Sequence, residues 1–229
     1  MAAPHTSQQA YIDNFNARDY LQTSYAPGKG ILFGEWIEFA TRNLHETFTT
    51  DLLEQNRAEF QKWLNKDPDA FDWTPIIKRV CELEGNREDS EKKAEKLRSK
   101  VTQVMKCDAL KRNPYDPVIV PPADCLLVCL CLETPCKDMK SYCNVVKNFK
   151  DLLKPEGQIL ILGTLNGTYY HAGKKRFSVL SSKKEALEMA FKEAGYIIEK
   201  AVYTSRADKS KIDVTDYEGH YFIHAHKPK

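Results

Sequence analysis

The sequence predicts an α/β protein in which helices cover both faces of a sheet, and three observations carry that expectation. ADCLLVCLCLE (123–133) and QILILGTL (158–165) are nearly continuous apolar runs. Strands buried on both faces look like this, whereas a strand with one wet face alternates apolar and polar residues. Between them, MKSYCNVVKNFKDLLKPEG (139–157) carries its apolar residues at helical spacing and meets a Pro-Glu-Gly stop. The last two apolar runs, near 196–204 and 221–227, are joined by loop residues and not by a helix, which predicts an antiparallel pair at the end of the sheet.

The earlier elements follow in order. In residues 1–30, Tyr11, Phe15, Tyr20 and Tyr25 stand four and five apart and are broken by Pro27-Gly28, which predicts one short helix with an aromatic stripe acting as a cover. ILFGEWIEFATRNLHETF (31–48) sets Ile31, Trp36, Ile37, Phe39, Ala40, Leu44 and Phe48 at mostly helical intervals, so an amphipathic helix is expected. A second helix over 52–66 aligns Leu53, Phe60, Trp63 and Leu64 and ends at Asp67-Pro68. The β-branched apolar patch of DWTPIIKRVCELEG (72–85) predicts a strand stopping at Gly85-Asn86. From 88 to 106, Ala94, Leu97, Val101 and Val104 keep a helical period amid mixed charges, predicting a surface helix. NPYDPVIVPP (113–122) leads into the first apolar run, and a loop with Tyr169, Tyr170 and Gly173 precedes a helix from Lys183 to Ala194 closed by Gly195. The expected organisation is a cover segment, 1–30, and one α/β domain, 31–229.

Composition narrows the function classes. With 42% hydrophobic and 29% charged residues the chain should fold in water, and a formal net charge of +2 gives no field for nucleic acid or an anionic membrane. The beginning of the sequence has no signal-like pattern and no apolar run approaches 18 residues, so a cytoplasmic location is expected; the expected state is a monomer. Seven cysteines, an odd number, read as buried reduced thiols, with Cys125, Cys129 and Cys131 sharing parity on one strand face. Their spacing is not that of paired CxxC metal knuckles. His220, His224 and His226 share parity on the terminal strand and are expected on an outward polar face, with a metal site as the sharper alternative. No GxSxG, P-loop or HExxH motif occurs.

FNARDYL (15–21), QNRAEFQKWLNKDPDAFDWTP (55–75), CELEGN (81–86), KLRSKVTQVMKCD (96–108), PPADCLL (121–127), LLKPEG (152–157) and TYY with Gly173 and FS (168–178) extend in one order over almost the whole chain. In these stretches the sequence resembles the nicotinamide, indolethylamine and phenylethanolamine N-methyltransferases. The resemblance implies a Rossmann-like fold, S-adenosylmethionine as cofactor, and methyl transfer to the nitrogen of a small amine or pyridine, with no metal and no covalent intermediate. It also implies roles. Tyr20 and Tyr25 match tyrosines that cover the cofactor; Asp51 matches the acid that accepts the ribose hydroxyls, and Asn56 a nearby polar contact. Cys107, Asp108 and Ala109 match the adenine-side loop, with Asp108 accepting from the exocyclic amine and the Ala109 amide donating. Cys129 falls beside the methionine part of the cofactor, and Tyr170 matches an aromatic wall of the substrate pocket. No residue is assigned a catalytic acid or base role. An Asp before a helix also serves as a cap, the tyrosines as half-buried cover and Cys129 as core.

One departure stands out. Where the family carries its first buried strand, an Asp-x-Gly-x-Gly-Pro type turn, the following helix and most of the second strand, this sequence passes from Phe48 to Thr49-Thr50-Asp51. The expected fold is therefore a Rossmann-like methyltransferase sheet missing its first βα unit, on the order of 30 residues, near 48–51. GKGILFG (28–34) has no strand before it and is not expected to replace the lost turn. Gly163 replaces an acid at the end of the fifth family strand, and Gly167 and Val179 replace polar pocket residues, so a carboxamide loses partners and a less polar amine or pyridine is easier to accept. Two other readings remain: a catalytically inactive truncated member acting as a binding or regulatory protein, and the same fold holding a small hydrophobic molecule without chemistry.

Overall fold

The computed structural model describes residues 5–24, 47–86, 88–206 and 214–229. Tyr25, the 28–34 stretch and nearly all of the helix expected over 31–48 lie outside the described residues. The chain divides into two compact units, one formed by Met1–Phe15 with Asp108–Lys229 and the other by Asn16–Cys107. The first fifteen residues thus belong with the C-terminal part of the chain. They carry helix α1 (Gln8–Asn14), while α2 (Ala17–Ser24) belongs to the other unit, so the single aromatic helix expected near the start is two short ones.

Unit 16–107 continues with strand β1 (Thr47–Asp51), helices α3 (Glu54–Leu64), α4 (Thr74–Leu83) and α5 (Ser90–Lys100), and strand β2 (Val101–Lys106). β1 and β2 form a parallel pair with Phe48 opposite Gln103 and Asp51 opposite Lys106. The expected helix therefore does not reach Phe48. Three threonines in TFTTD favour extended backbone because their β-branched side chains are stiff at χ1. The strand expected over 72–85 is also corrected, because TPIIKRVCEL is helix α4. Pro75 sits in its first turn, where the missing N–H is harmless, and Ile77, Val80 and Cys81 bury one face at spacings of three and four. The helix expected over 88–106 stops early: Asp89 caps α5 by accepting from the amides of Glu91 at 2.9 Å and Lys92 at 3.1 Å, and β2 takes over at Val101. Ile77, Cys81 and Ala94 pack with Trp63 and Trp73. Beside them Lys93 and Glu84 form an ion pair, each side chain only 8% exposed.

The second unit contains β3 (Ala123–Cys129), α6 (Met139–Phe149), β4 (Leu153–Leu165), β5 (Tyr169–Ala172), β6 (Lys175–Ser178), α7 (Lys184–Glu193), β7 (Ile197–Ser205) and β8 (Gly219–His226). Its main sheet has the order β3-β4-β8-β7, with β3 parallel to β4 and β8 antiparallel to both neighbours. The expected terminal antiparallel pair is present. The crossover from β3 to β4 runs through α6, which a capping box of Asp138 and Ser141 starts. Tyr142, Val146 and Phe149 of α6, Leu187 and Phe191 of α7, and Ile159, Ile161, Tyr221 and Ile223 of the sheet form one core. Gly195 ends α7 in the left-handed region at φ +77°.

Two further expectations change here. Residues 169–178 form the hairpin β5–β6 in place of an open loop. β3 is not buried on both faces, since only Val128 within it is fully buried, and the strand ends at Cys129, leaving Cys131 exposed and off the shared face. Among the described residues, β1 and β3 each pair along one edge only.

Candidate functional site

In open parallel sheets, ligands meet the carboxyl ends of the strands, where loops and helix N-termini converge. Asp51 ends β1, and Cys107, Asp108 and Ala109 follow β2, while Cys129 ends β3. Every strand-borne residue singled out for the cofactor therefore occupies such an end.

Asp51 is the most built of them. Its Oδ1 accepts the Leu53 amide at 2.7 Å and its Oδ2 accepts the Asn56 side-chain amide at 3.0 Å. Arg57 fixes the same corner by donating to the carbonyls of Asp51 at 2.8 Å and Leu52 at 2.7 Å. Burial pushes the Asp51 carboxyl above its usual range, against the pull of the Leu53 amide, Asn56 and Arg57. The helix cap of α3 falls on Leu53 without a side-chain bond, so Asp51 is not the N-cap residue. Its two oxygens use one acceptor site each on these amides and keep others for a diol, the demand that a ribose makes. Asn56 lies against Asp51 and orients it. The Cys107 amide donates to the Asp51 carbonyl at 3.1 Å, which joins the ends of β1 and β2. In the same unit, half-buried Tyr20 lies on α2.

In the other unit, Asp108 organises a turn: its amide donates to Pro114 O at 2.8 Å and its Oδ1 accepts from the Leu110 amide at 3.1 Å. The Ala109 side chain is buried in the core cluster. Cys129 lies opposite Leu162 on β4, and burial first, then the Glu133 charge, hold its thiol strongly protonated. Tyr170 on β5 stacks on Phe177 of β6 with ring centroids 5.5 Å apart, and Phe177 also meets Tyr11 at 5.3 Å and Phe15 at 5.7 Å. The side chains of Thr6 and Ser178 bond each other at 2.9 Å, tying the start of the chain to the same hairpin.

A buried cluster escaped the sequence reading. Glu133, fully enclosed after β3, accepts the Tyr221 hydroxyl at 2.9 Å and the Thr164 amide at 3.2 Å, and the hydroxyls of Tyr221 and Tyr142 are 3.0 Å apart. Burial raises the Glu133 carboxyl despite these bonds. A Cβ added at Gly163 would overlap the Glu133 carboxylate and crowd the Tyr221 ring. Glycine at 163 is thus the residue that lets this carboxylate lie against β4. Glu133 and Tyr221 are too far apart in the chain for any local pattern to reveal their pairing.

The histidines of β8 have ordinary partners. His226 Nδ1 lies 2.7 Å from Glu199 Oε1, His224 Nε2 lies 2.7 Å from Gln158 Oε1, and the His220 ring meets Tyr217 at 4.6 Å. All seven cysteines are free thiols. No described helix is long and apolar enough to cross a membrane.

The model of the NNMT/PNMT/TEMT family matches residues 36–228. Human nicotinamide N-methyltransferase is 39% identical over 233 aligned positions, which cover 87% of this chain and 88% of that protein. Rabbit (Oryctolagus cuniculus) indolethylamine N-methyltransferase is 35% identical over 90% of this chain and 92% of its own, and mouse phenylethanolamine N-methyltransferase 30% identical over 93% and 85%. In the human alignment, 87% of 229 residues is about 199, so roughly 34 of the 233 positions are filled by the relative alone, the length of one βα unit.

Proposed function

We propose, from the premise that this chain belongs to the NNMT/PNMT/TEMT family, that it binds S-adenosylmethionine and transfers a methyl group to the nitrogen of a small amine or pyridine-type acceptor, as a cytoplasmic monomer. The observation that carries the reading is Asp51, a half-buried carboxylate held at the carboxyl end of a parallel strand by the Leu53 amide and Asn56, with acceptor capacity left for a ribose diol. The bound cofactor supplies an electrophilic methyl on a sulfonium. What remains for the protein is to align the acceptor in line with it and to exclude water.

Asp51, with Asn56 behind it, would hold the ribose, Tyr20 would cover the cofactor, Asp108 and the Ala109 amide would read the adenine edge, and Cys129 would adjoin the methionine part. Tyr25 is assigned to the cover on the resemblance alone. Tyr170 would wall the acceptor. A pyridine nitrogen needs no base, whereas an alkylamine must give up its proton before attack. Gly163, Gly167 and Val179 offer no side-chain hydrogen-bond partner of their own to a carboxamide, which favours acceptors less polar than a carboxamide. The relatives lend no support to an inactive product of the family.

Calorimetric titration with S-adenosylhomocysteine, paired with a thermal melt, tests the reading, because a ligand of the folded state raises apparent stability. Micromolar binding with an upward melt shift is expected, and a loss of at least tenfold in affinity for Asp51→Asn. No binding by the unaltered chain would sink the transferase reading.

A further inference from the structure

The hairpin that carries Tyr170 is held by a short segment far along the chain, residues 214–218, which enters β8. The Asp216 carboxylate is its centre. Asp216 Oδ1 accepts the amides of Thr168 at 2.7 Å and Tyr169 at 3.1 Å, and its Oδ2 accepts the Thr168 hydroxyl. On one side of it, the Thr215 hydroxyl donates to the Tyr169 carbonyl at 2.9 Å, Thr215 bridges Tyr170, and the His171 amide donates to Val214 O at 2.8 Å. On the other side, the Glu218 amide donates to Leu165 O at 2.9 Å, and Glu218 Oε2 accepts from Asn166 at 2.7 Å. The Arg206 guanidinium braces the segment by donating to Thr215 O at 2.7 Å while lying 4.5 Å over the Tyr217 ring.

We propose that Asp216 is a positioning residue for acceptor binding: it fixes the entry of β5, and with it the orientation of Tyr170, through the Thr168 and Tyr169 amides. Two backbone amides on one carboxylate oxygen define where the strand starts better than a salt bridge to a long side chain, because neither donor has rotamers of its own to order. The Tyr170 ring stacks on its own hairpin partner Phe177, and Tyr170 follows Tyr169 directly on β5, so a shift at 168–169 is carried along the strand to the ring. Burial would raise the Asp216 pKa, but the Thr168 hydroxyl and the amides of Thr168 and Tyr169 outweigh it and hold the carboxyl below the usual range.

The inference rests on the transferase reading, and its test separates the two. Amide hydrogen exchange of residues 168–172 and calorimetric titrations with S-adenosylhomocysteine, and with tryptamine, quinoline and nicotinamide as acceptor probes, are compared in the unaltered chain, Asp216→Ala and Asp216→Asn. Asp216→Ala should speed exchange at Thr168 and Tyr169 at least tenfold and weaken the acceptor that binds at least fivefold, with S-adenosylhomocysteine affinity within twofold. Asp216→Asn keeps an acceptor oxygen for both amides and should restore most of both effects, which general destabilisation would not allow. Unchanged exchange in Asp216→Ala, or faster exchange with unchanged acceptor affinity, overturns the proposal. Failure of the unaltered chain to bind S-adenosylhomocysteine and every acceptor probe overturns the transferase reading, and the acceptor role of Asp216 with it, whereas the exchange data separately decide whether Asp216 holds the hairpin.

Discussion

Asp51, the proposed ribose acceptor, shows how one residue can cost the fold stability. Burial raises its carboxyl, so ionisation costs the folded chain more than the unfolded one. For an acid shifted upward, the stabilising contribution is fully present below the unfolded pKa, about 3.9, and is lost as pH rises through the higher folded value. At neutral pH the charged group is therefore a net cost. Asp51→Asn keeps an oxygen for the Leu53 amide and removes that cost, so the variant should melt higher than the unaltered chain at pH 7, with the difference vanishing near pH 3. A melt that fell at pH 7 would show that the Asn56 bond outweighs desolvation. Gly163 is the opposite case, a residue kept small by its neighbours. Gly163→Ala must displace Glu133 or Tyr221, and overpacking of this kind costs about 1 to 3 kcal/mol. For a chain of this size that is a fall of about 2 to 12 °C in a thermal melt. An unchanged melt would mean that Glu133 swings aside freely, contrary to its bonds with Tyr221 and Thr164. Neither residue's role was visible in local sequence: Asp51 was singled out by resemblance, and the Glu133–Tyr221 pair joins segments 88 positions apart.

At the scale of elements, the sequence was legible where period and length agreed. QILILGTL lies within β4 and all but the last residue of YFIHAHK within β8; α7 lies where amphipathic spacing put it, and α6 starts where expected but ends at Phe149, the expected Pro-Glu-Gly stop falling inside β4. It was illegible where two cues competed. TPIIKRVCEL has the β-branched residues of a strand, yet its buried positions repeat as a helix, and burial of one face decided the outcome. TFTTD was hidden because Phe48 continued a helical period begun upstream, and β2 because Val101 and Val104 did the same. The α4–α5 pair also depends on a contact that no periodicity encodes. Lys93 of α5 meets Glu84 at the end of α4, with Glu84 Oε1 lacking a partner among the described residues. Removing one member of a buried ion pair strands the other, which costs about 3 to 5 kcal/mol, while replacing both with apolar groups is often neutral. Lys93→Met should therefore lower urea stability by about that amount, and Lys93→Met with Glu84→Leu should recover most of it. If the double variant is no better than the single one, the pair is not the reason for the loss.

For the whole molecule, the two units are expected to differ in resilience. Among the described residues, unit 16–107 has one parallel strand pair, and parallel pairing is the weaker kind per residue; two strands alone rarely hold a sheet. Among the described residues, Ile77, Cys81 and Ala94 cluster there with Trp63 and Trp73. The other unit sets four strands and two helices around Tyr142, Phe149, Ile161, Phe191, Tyr221 and Ile223. Local opening free energy follows buried apolar contact, so the units should open separately. In native-state hydrogen exchange, amides of β1 and β2 should exchange at least about a hundredfold faster than those of β4 and β8. Asp51, the proposed ribose acceptor, lies in the unit expected to open first, where a cofactor bound to it has the most local opening to suppress. Saturating S-adenosylhomocysteine should then slow exchange at 47–51 and 101–106 far more than at 159–162 and 221–225. Equal protection in both units without ligand would mean that β1 and β2 are held by more than their own pairing. Ligand protection confined to β4 and β8 would place the cofactor away from Asp51.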